Sequence, residues 1–120
     1  MEDKSLLKKL LIKPGYRSMV VNPPDGYLAR LGSVVLENEL KGKFDFIHLF
    51  VRNKDEVDRI GPIAVEAVMP EGVLWISYPK GSSKIKTDIN RDKGWDTIKA
   101  MGFEGVAQVS IDDIWSALKF

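Results

Sequence analysis

Two segments on either side of a helical stretch constrain this chain most. Phe44-Asp45-Phe46-Ile47-His48-Leu49-Phe50-Val51 and Val73-Leu74-Trp75-Ile76-Ser77-Tyr78 carry apolar side chains at both odd and even positions. A half-buried strand alternates apolar and polar residues, so a run that is apolar on both faces belongs inside a sheet covered by helices on each side. Between the two runs, Asn53 suits the N-cap of a helix whose Val57, Ile60, Ala64, Ala67 and Val68 recur at helical spacing. A kink is expected at Gly61-Pro62 and a stop at Met69-Pro70-Glu71-Gly72. Strand, helix and strand of this length make a βαβ unit, which is right-handed and sets its strands parallel. The expected class is therefore α/β.

The remaining punctuation builds outward from that unit. Pro14-Gly15 ends an N-terminal helix whose Leu6, Leu7, Leu10 and Leu11 form a stripe that packs on the domain with lysines outward; a membrane-surface helix is the weaker reading of the same pattern. Arg17-Ser18-Met19-Val20-Val21 reads as a buried first strand, broken by Asn22-Pro23-Pro24-Asp25-Gly26. Tyr27 to Leu31 makes a turn or two of helix, and Ser33-Val34-Val35-Leu36 a short second strand ending near Glu37. Asp88 is placed to cap a helix carrying Trp95, Ile98 and Met101 and stopping at Gly102. Gly105 to Ile111 and Trp115 to Phe120 then pair as an antiparallel hairpin turned at Asp112-Asp113.

A chain of 120 residues is enough for one domain, 1–120, with its own core. The absence of cysteine removes disulfides and thiolate metal sites, and nothing requires an oxidising compartment, so a cytoplasmic home is the expectation. A formal charge of +1 supplies no overall field toward nucleic acid or anionic lipid. The N-terminal leucine stretch is too short to span a bilayer and lacks a signal-peptide cleavage pattern, so no membrane association is expected.

In order along the chain, "KPGYRSMVVNPPDGYL", "KFDFIHLFV", "VMPEGVLWISYPK" and "GFEGVAQVS" followed by "WSALKF" resemble a shortened, degenerate class I S-adenosylmethionine-dependent methyltransferase over nearly the whole length. The text is similar, more closely, to a group of small bacterial proteins with this layout and no assigned function. The resemblance implies a Rossmann-like, mostly parallel sheet with helices on both faces and a C-terminal antiparallel hairpin. "KFDFIHLFV" stands for the family's fourth strand, "VMPEGVLWIS" for the passage into the fifth, and the hairpin for the antiparallel sixth and seventh. Where that family carries an acidic residue and a glycine-rich turn after the first strand, this chain has Asn22-Pro23-Pro24-Asp25-Gly26. Each proline lacks an N–H and fixes φ, so the turn loses donors and freedom that a bound cofactor would use.

In open α/β sheets ligands sit beyond the carboxyl ends of the strands. That rule nominates Asn22, Asp25 and Gly26 near a cofactor, with Glu37 (or Glu39) on its ribose, and Arg52, Asn53, Tyr78 and Lys80 near a second ligand. The stretch from Lys80 to Arg91 sets Ser82 and Ser83 among Lys80, Lys84, Lys86 and Arg91, just before the expected helix start at Asp88, a composition that suits a phosphate or carboxylate. It is not a Walker loop. Ordinary roles compete at every position: turn, cap, polar rim or solvated loop. His48, the sole histidine, lies within a strand and is expected to pack and donate one hydrogen bond, which leaves no histidine triad or multi-histidine metal site. Trp75 and Trp95 are expected in the core, while Trp115 at the start of the last strand is placed to support a homodimer.

These features favour a non-catalytic binding or regulatory module for a small anion or a protein partner, monomeric or homodimeric, with no cofactor assigned. A working methyltransferase using S-adenosylmethionine is the alternative. A nucleic-acid-binding accessory protein using the basic loop is the third reading.

Overall fold

The computed structural model describes residues 3–32, 34–39 and 41–120. Its elements are α1 (Lys4–Leu10), β1 (Ser18–Val21), α2 (Tyr27–Leu31), β2 (Phe44–Phe50), α3 (Lys54–Ala67), β3 (Val68–Pro79), α4 (Asp96–Ala100), β4 (Ala107–Ser110) and β5 (Trp115–Lys119). They form a five-stranded sheet in the order β1-β2-β3-β5-β4. β1, β2 and β3 are parallel, whereas β5 is antiparallel to both β3 and β4.

The double-faced apolar pattern of β2 and β3 divides the core into two layers. Ile47, Leu49, Leu74 and Ile76 point toward α3 and α4, where Val57, Ala64 and Ile98 meet them. Phe46, Phe50, Val73 and Trp75 point the other way, toward Leu6 and Leu10 of α1, Tyr27 and Leu31 of α2, and Trp115. Asn53 caps α3 as expected, its side-chain oxygen accepting the Glu56 N–H at 2.9 Å. Arg30 ties the second layer together: its guanidinium holds Asp3 at the start of α1 and donates to the Ile111 carbonyl in the closing hairpin at 2.8 Å. No helix of the described residues is long and apolar enough to cross a membrane.

Several local expectations are corrected by long-range packing. α3 runs unbroken through Gly61-Pro62. The glycine is there for close approach, since a Cβ on Gly61 would come within 2.6 Å of Ile98 Cδ1 on α4. β3 begins at Val68, and Met69-Pro70-Glu71-Gly72 bulges within it: Phe44 pairs with Val68 but Phe46 with Val73. Of the short second strand only one parallel bridge is present, Ser18 to Leu36, and Ser33 lies outside the described residues. In the α1 stripe Leu6 and Leu10 are buried, but Leu11 takes a left-handed C-cap conformation (φ 63°) and is exposed.

The helix expected from Asp88 starts only at Asp96. The Asp88 carboxylate instead accepts the backbone N–H of Lys54, at the start of α3, at 2.8 Å. Upstream of α4, an Asn90 side-chain turn and Gly94 at φ 104° hold the chain irregular. Trp115 is buried rather than exposed, because β5 lies inside the sheet and the indole packs edge-on against Phe50 at 5.3 Å.

Candidate binding site

After β1 the chain turns to α2 on one face, and after β2 to α3 on the other, so the switch point lies beyond the carboxyl ends of β1 and β2. Asn22, Asp25 and Gly26 stand there on one side, Arg52 and Asn53 on the other, all exposed. Asn22 and Gly26 both have positive φ, 56° and 85°. Three amides at the start of α3 that an anion could use are already engaged. Arg52 N–H donates to Glu56 Oε1 at 2.6 Å, Lys54 N–H to Asp88, and Glu56 N–H to Asn53. Glu37 is not with this group. It follows the bridge to Ser18, the first residue of β1, and there pairs with Arg17 at 3.3 Å. Arg17 also donates to the carbonyls of Lys41 and Lys43, so Glu37 braces the amino end of the sheet.

Beneath the switch point runs a buried polar line. The Tyr27 hydroxyl lies 2.5 Å from His48 Nδ1, and His48 Nε2 lies 2.6 Å from Ser77 Oγ. His48 and Ser77 are fully enclosed, and the imidazole stacks on Phe50 at 4.2 Å. Burial pushes the His48 pKa down to about 3, so the ring is neutral, and burial likewise pushes the Tyr27 phenol up. The neutral His48 ring thus packs and donates one hydrogen bond, as expected, and accepts a second. A serine, a histidine and a tyrosine in a row invite a catalytic reading, but none of the three reaches solvent where a substrate could meet it. The line joins β2, β3 and α2 as a brace.

The loop from Lys80 to Trp95 straddles the end of the sheet. Ile85 packs into the α1/α2 layer and Ile89 into the α3/α4 layer. This splits the expected cluster of cations. Lys80 is drawn to the hairpin, where Nζ donates to Ser110 Oγ at 2.6 Å; Ser82, Lys84 and Lys86 are exposed; and Ser83 Oγ is buried with no hydrogen-bond partner among the described residues. Arg91 alone reaches a cavity.

That cavity, of about 580 Å³, lies between α4 and the β4-β5 hairpin. Phe120, Leu118 and Trp95 form its apolar part, and Arg91, Lys99 and Gln108 bring polar groups to it, with Asp92 and Glu104 also lining it. Gln108 Nε2 donates to the Tyr78 hydroxyl at 2.8 Å and to Ser116 Oγ at 3.0 Å, which fixes the amide on the sheet face. Tyr78 is held behind it, its pKa raised by burial, and its ring packs against Trp95 at 5.7 Å. Arg91 is paired with Asp92 at 3.5 Å, whereas Lys99 has no ion pair among the described residues. Of the expected ligand residues, the structure therefore brings Arg91 to the cavity and Tyr78 to its support, and disperses the rest. Lys99, Gln108 and Phe120 carried no local signal, because their meeting depends on how α4 crosses the hairpin. A second cavity, of about 620 Å³, lies between the end of α1 and Tyr16, Val34 and Val35; it is mostly apolar, with Lys13 the one charged lining residue among the described residues.

No protein-family model matches the chain, and no curated protein matches it at a significant level.

Proposed function

We propose that this chain is a non-catalytic binding or regulatory module on a degenerate, methyltransferase-like Rossmann fold, and that it takes a small organic anion in the cavity between α4 and the β4-β5 hairpin. The observation that carries the proposal is the convergence of Lys99 and Arg91 on one concave site floored by Phe120 and Leu118. A few placed polar groups on an apolar floor are what a small-ligand site needs. The sheet order supports the fold reading. In the correspondence that the sequence suggests, β1, β2 and β3 stand for the first, fourth and fifth strands, which are neighbours in doubly wound sheets. The prolines after β1 and the occupied amides at the start of α3 favour a ligand site elsewhere than the switch point.

Thermal unfolding with inorganic phosphate, pyrophosphate and small carboxylates tests this directly. A ligand at a hundred times its dissociation constant adds about 2.7 kcal/mol, or roughly 5 to 15 °C in the midpoint for a domain of this size. Lys99→Ala is expected to weaken such binding about tenfold, in line with the loss of one charge-assisted hydrogen bond, while leaving the unliganded midpoint unchanged. No shift with any of these anions, or a shift that Lys99→Ala and Arg91→Ala leave intact, would overturn the site. A shift with S-adenosylmethionine that ignores both substitutions would restore the enzyme reading at the switch point. Binding to nucleic acid that falls steeply with salt would favour the third reading.

A further inference from the structure

The segment after α2, read from sequence as a strand, becomes one wall of a cavity. Ser18 pairs with Leu36 in a single parallel bridge, and upstream of it neither Tyr16-Arg17 nor Val34-Val35 enters a strand. Each backbone is turned there by its own bond. Tyr16 N–H donates to the Lys13 carbonyl at 3.2 Å across Pro14-Gly15, with Gly15 at φ 86°, and Val34 N–H donates to the Leu31 carbonyl at 3.2 Å behind α2. Between the two, at the end of α1, lies the cavity of about 620 Å³. Its apolar wall is aliphatic apart from one ring: Leu7, Ile12, Tyr16 and Val34 back onto the α1/α2 layer as partly buried residues, while Val35 lines it at 78 % exposure.

We infer that this cavity binds the acyl chain of a free medium-chain carboxylate, with the head group held by Lys13. Volume and lining suit an apolar chain, since ligand pockets run from about 300 to 1,000 Å³ and are lined predominantly by apolar side chains. Aliphatic walls gain by taking methylenes out of water, and a single ring offers no pair of faces to sandwich a flat aromatic ligand. Charge fixes the other end. Lys13 is the one charged lining residue among the described residues, and its exposed side chain has no ion pair among them. One cation matches one negative charge, which selects a carboxylate over a phosphate dianion; the head group gains a charge-assisted hydrogen bond while the chain covers Val35. Leu7, Ile12, Tyr16 and Val34 are recessed, which suits a ligand that enters the protein rather than a bilayer that the protein would have to enter. The cavity beside α4 has a different character. Arg91, Asp92, Lys99 and Glu104 bring four charges to it, a lining for a compact polar anion and not for a chain.

Calorimetric titration of the full chain with hexanoate, octanoate and decanoate, kept below micelle formation, tests this. Affinity is expected to rise about fourfold per methylene, the gain for burying one CH₂ in an apolar site, with a negative heat-capacity change. Lys13→Gln should weaken decanoate binding about tenfold and leave decanol, the same chain without the charge, unaffected. Val35→Asp, at an exposed position where folding tolerates the change, should weaken both about tenfold or more. Lys99→Ala and Arg91→Ala, in the other cavity, should alter neither, so failure of this site and failure of the small-anion site are told apart. No binding of decanoate up to millimolar concentration, affinity that ignores chain length, or binding that survives both Lys13→Gln and Val35→Asp overturns the inference. Association with phosphatidylglycerol vesicles without binding of soluble decanoate overturns it as well, in favour of a membrane-facing surface.

Discussion

Lowering the pH from 7 to 4 is expected to remove about 3 kcal/mol of folding stability through His48 alone. The ring is neutral in the folded state, with burial holding its pKa near 3, while in the unfolded chain it titrates at about 6.5. The unfolded state therefore binds the extra proton first. Stability is fully present above about pH 6.5 and falls as the pH drops toward 3, the sign that follows when the unfolded state carries more protons. The groups that face the imidazole are the Tyr27 and Ser77 hydroxyls and the rings of Phe46 and Phe50, none of which supplies a negative charge. Asp3 and Asp58, held below the usual carboxylate range by hydrogen bonds from Arg30 and Lys54, also lose stability in acid, but they do so in any variant. Urea unfolding of the wild type and of His48→Gln at a series of pH values isolates the histidine. The variant should be less stable by 1 to 3 kcal/mol at pH 7, as for a disturbed buried hydrogen-bond pair, and should lose much less between pH 6.5 and 4. Parallel curves for the two proteins would contradict the neutral, buried imidazole.

Gly94→Ala is expected to cost about 3 kcal/mol, lowering the thermal midpoint by roughly 10 to 20 °C. The position has φ 104°, where a side chain is strained, and an added Cβ would lie 2.2 Å from Ile89 Cγ2 and 3.0 Å from its Cβ. Ile89 is seated in the α3/α4 core, so it yields only by leaving it. Arg91 lies between the two residues, and the same substitution should weaken anion binding at the cavity. Gly81→Ala, in the same loop with nothing within 4 Å of the added atom, is the control and should stay within about 0.5 kcal/mol. Equal effects from the two substitutions would mean that Ile89 does not anchor the loop. A third substitution checks the buried line from its other end: Tyr27→Phe leaves His48 Nδ1 without its partner and should cost 1 to 3 kcal/mol in urea unfolding.

What the sequence showed and what it hid follow one physical division. β2, α3 and the central part of β3 were legible because their apolar patterns are local and the structure uses them as written. The hairpin was legible for the same reason, with its strands slightly shortened at the ends. Asp88 was misplaced because a cap signal does not name its helix: the carboxylate looks the same whether it serves the next residues or reaches Lys54 across the fold. Trp115 was misplaced because nothing local says that the last strand enters the sheet between two others. Glu37 looked like the end of a strand that pairing reduces to one bridge. The cavity was hidden most completely, since its cations come from a loop and a short helix and its amide from a strand, with no spacing that links them. Arg91 was found as part of a basic run, whereas Lys99 was simply one lysine on a helix.

The position of β5 also bears on when the domain can fold. β4 precedes β5 in the chain, yet among the described residues β5 is the only neighbour that β4 has in the sheet, and β3 lends its second edge to β5 as well. During synthesis, β1, α3, β2 and β3 can associate as they emerge, but the flank of β3 on which Leu74, Ile76 and Tyr78 present their backbone groups stays open until Trp115 to Lys119 arrive. Loop-closure entropy must also be met before the Arg30 to Ile111 bond, 81 residues apart, can form. The sheet therefore closes only once Trp115 to Lys119 have emerged, and a ribosome stalled before Trp115 would hold a chain with an unsatisfied strand edge, the kind of surface that chaperones exist to cover.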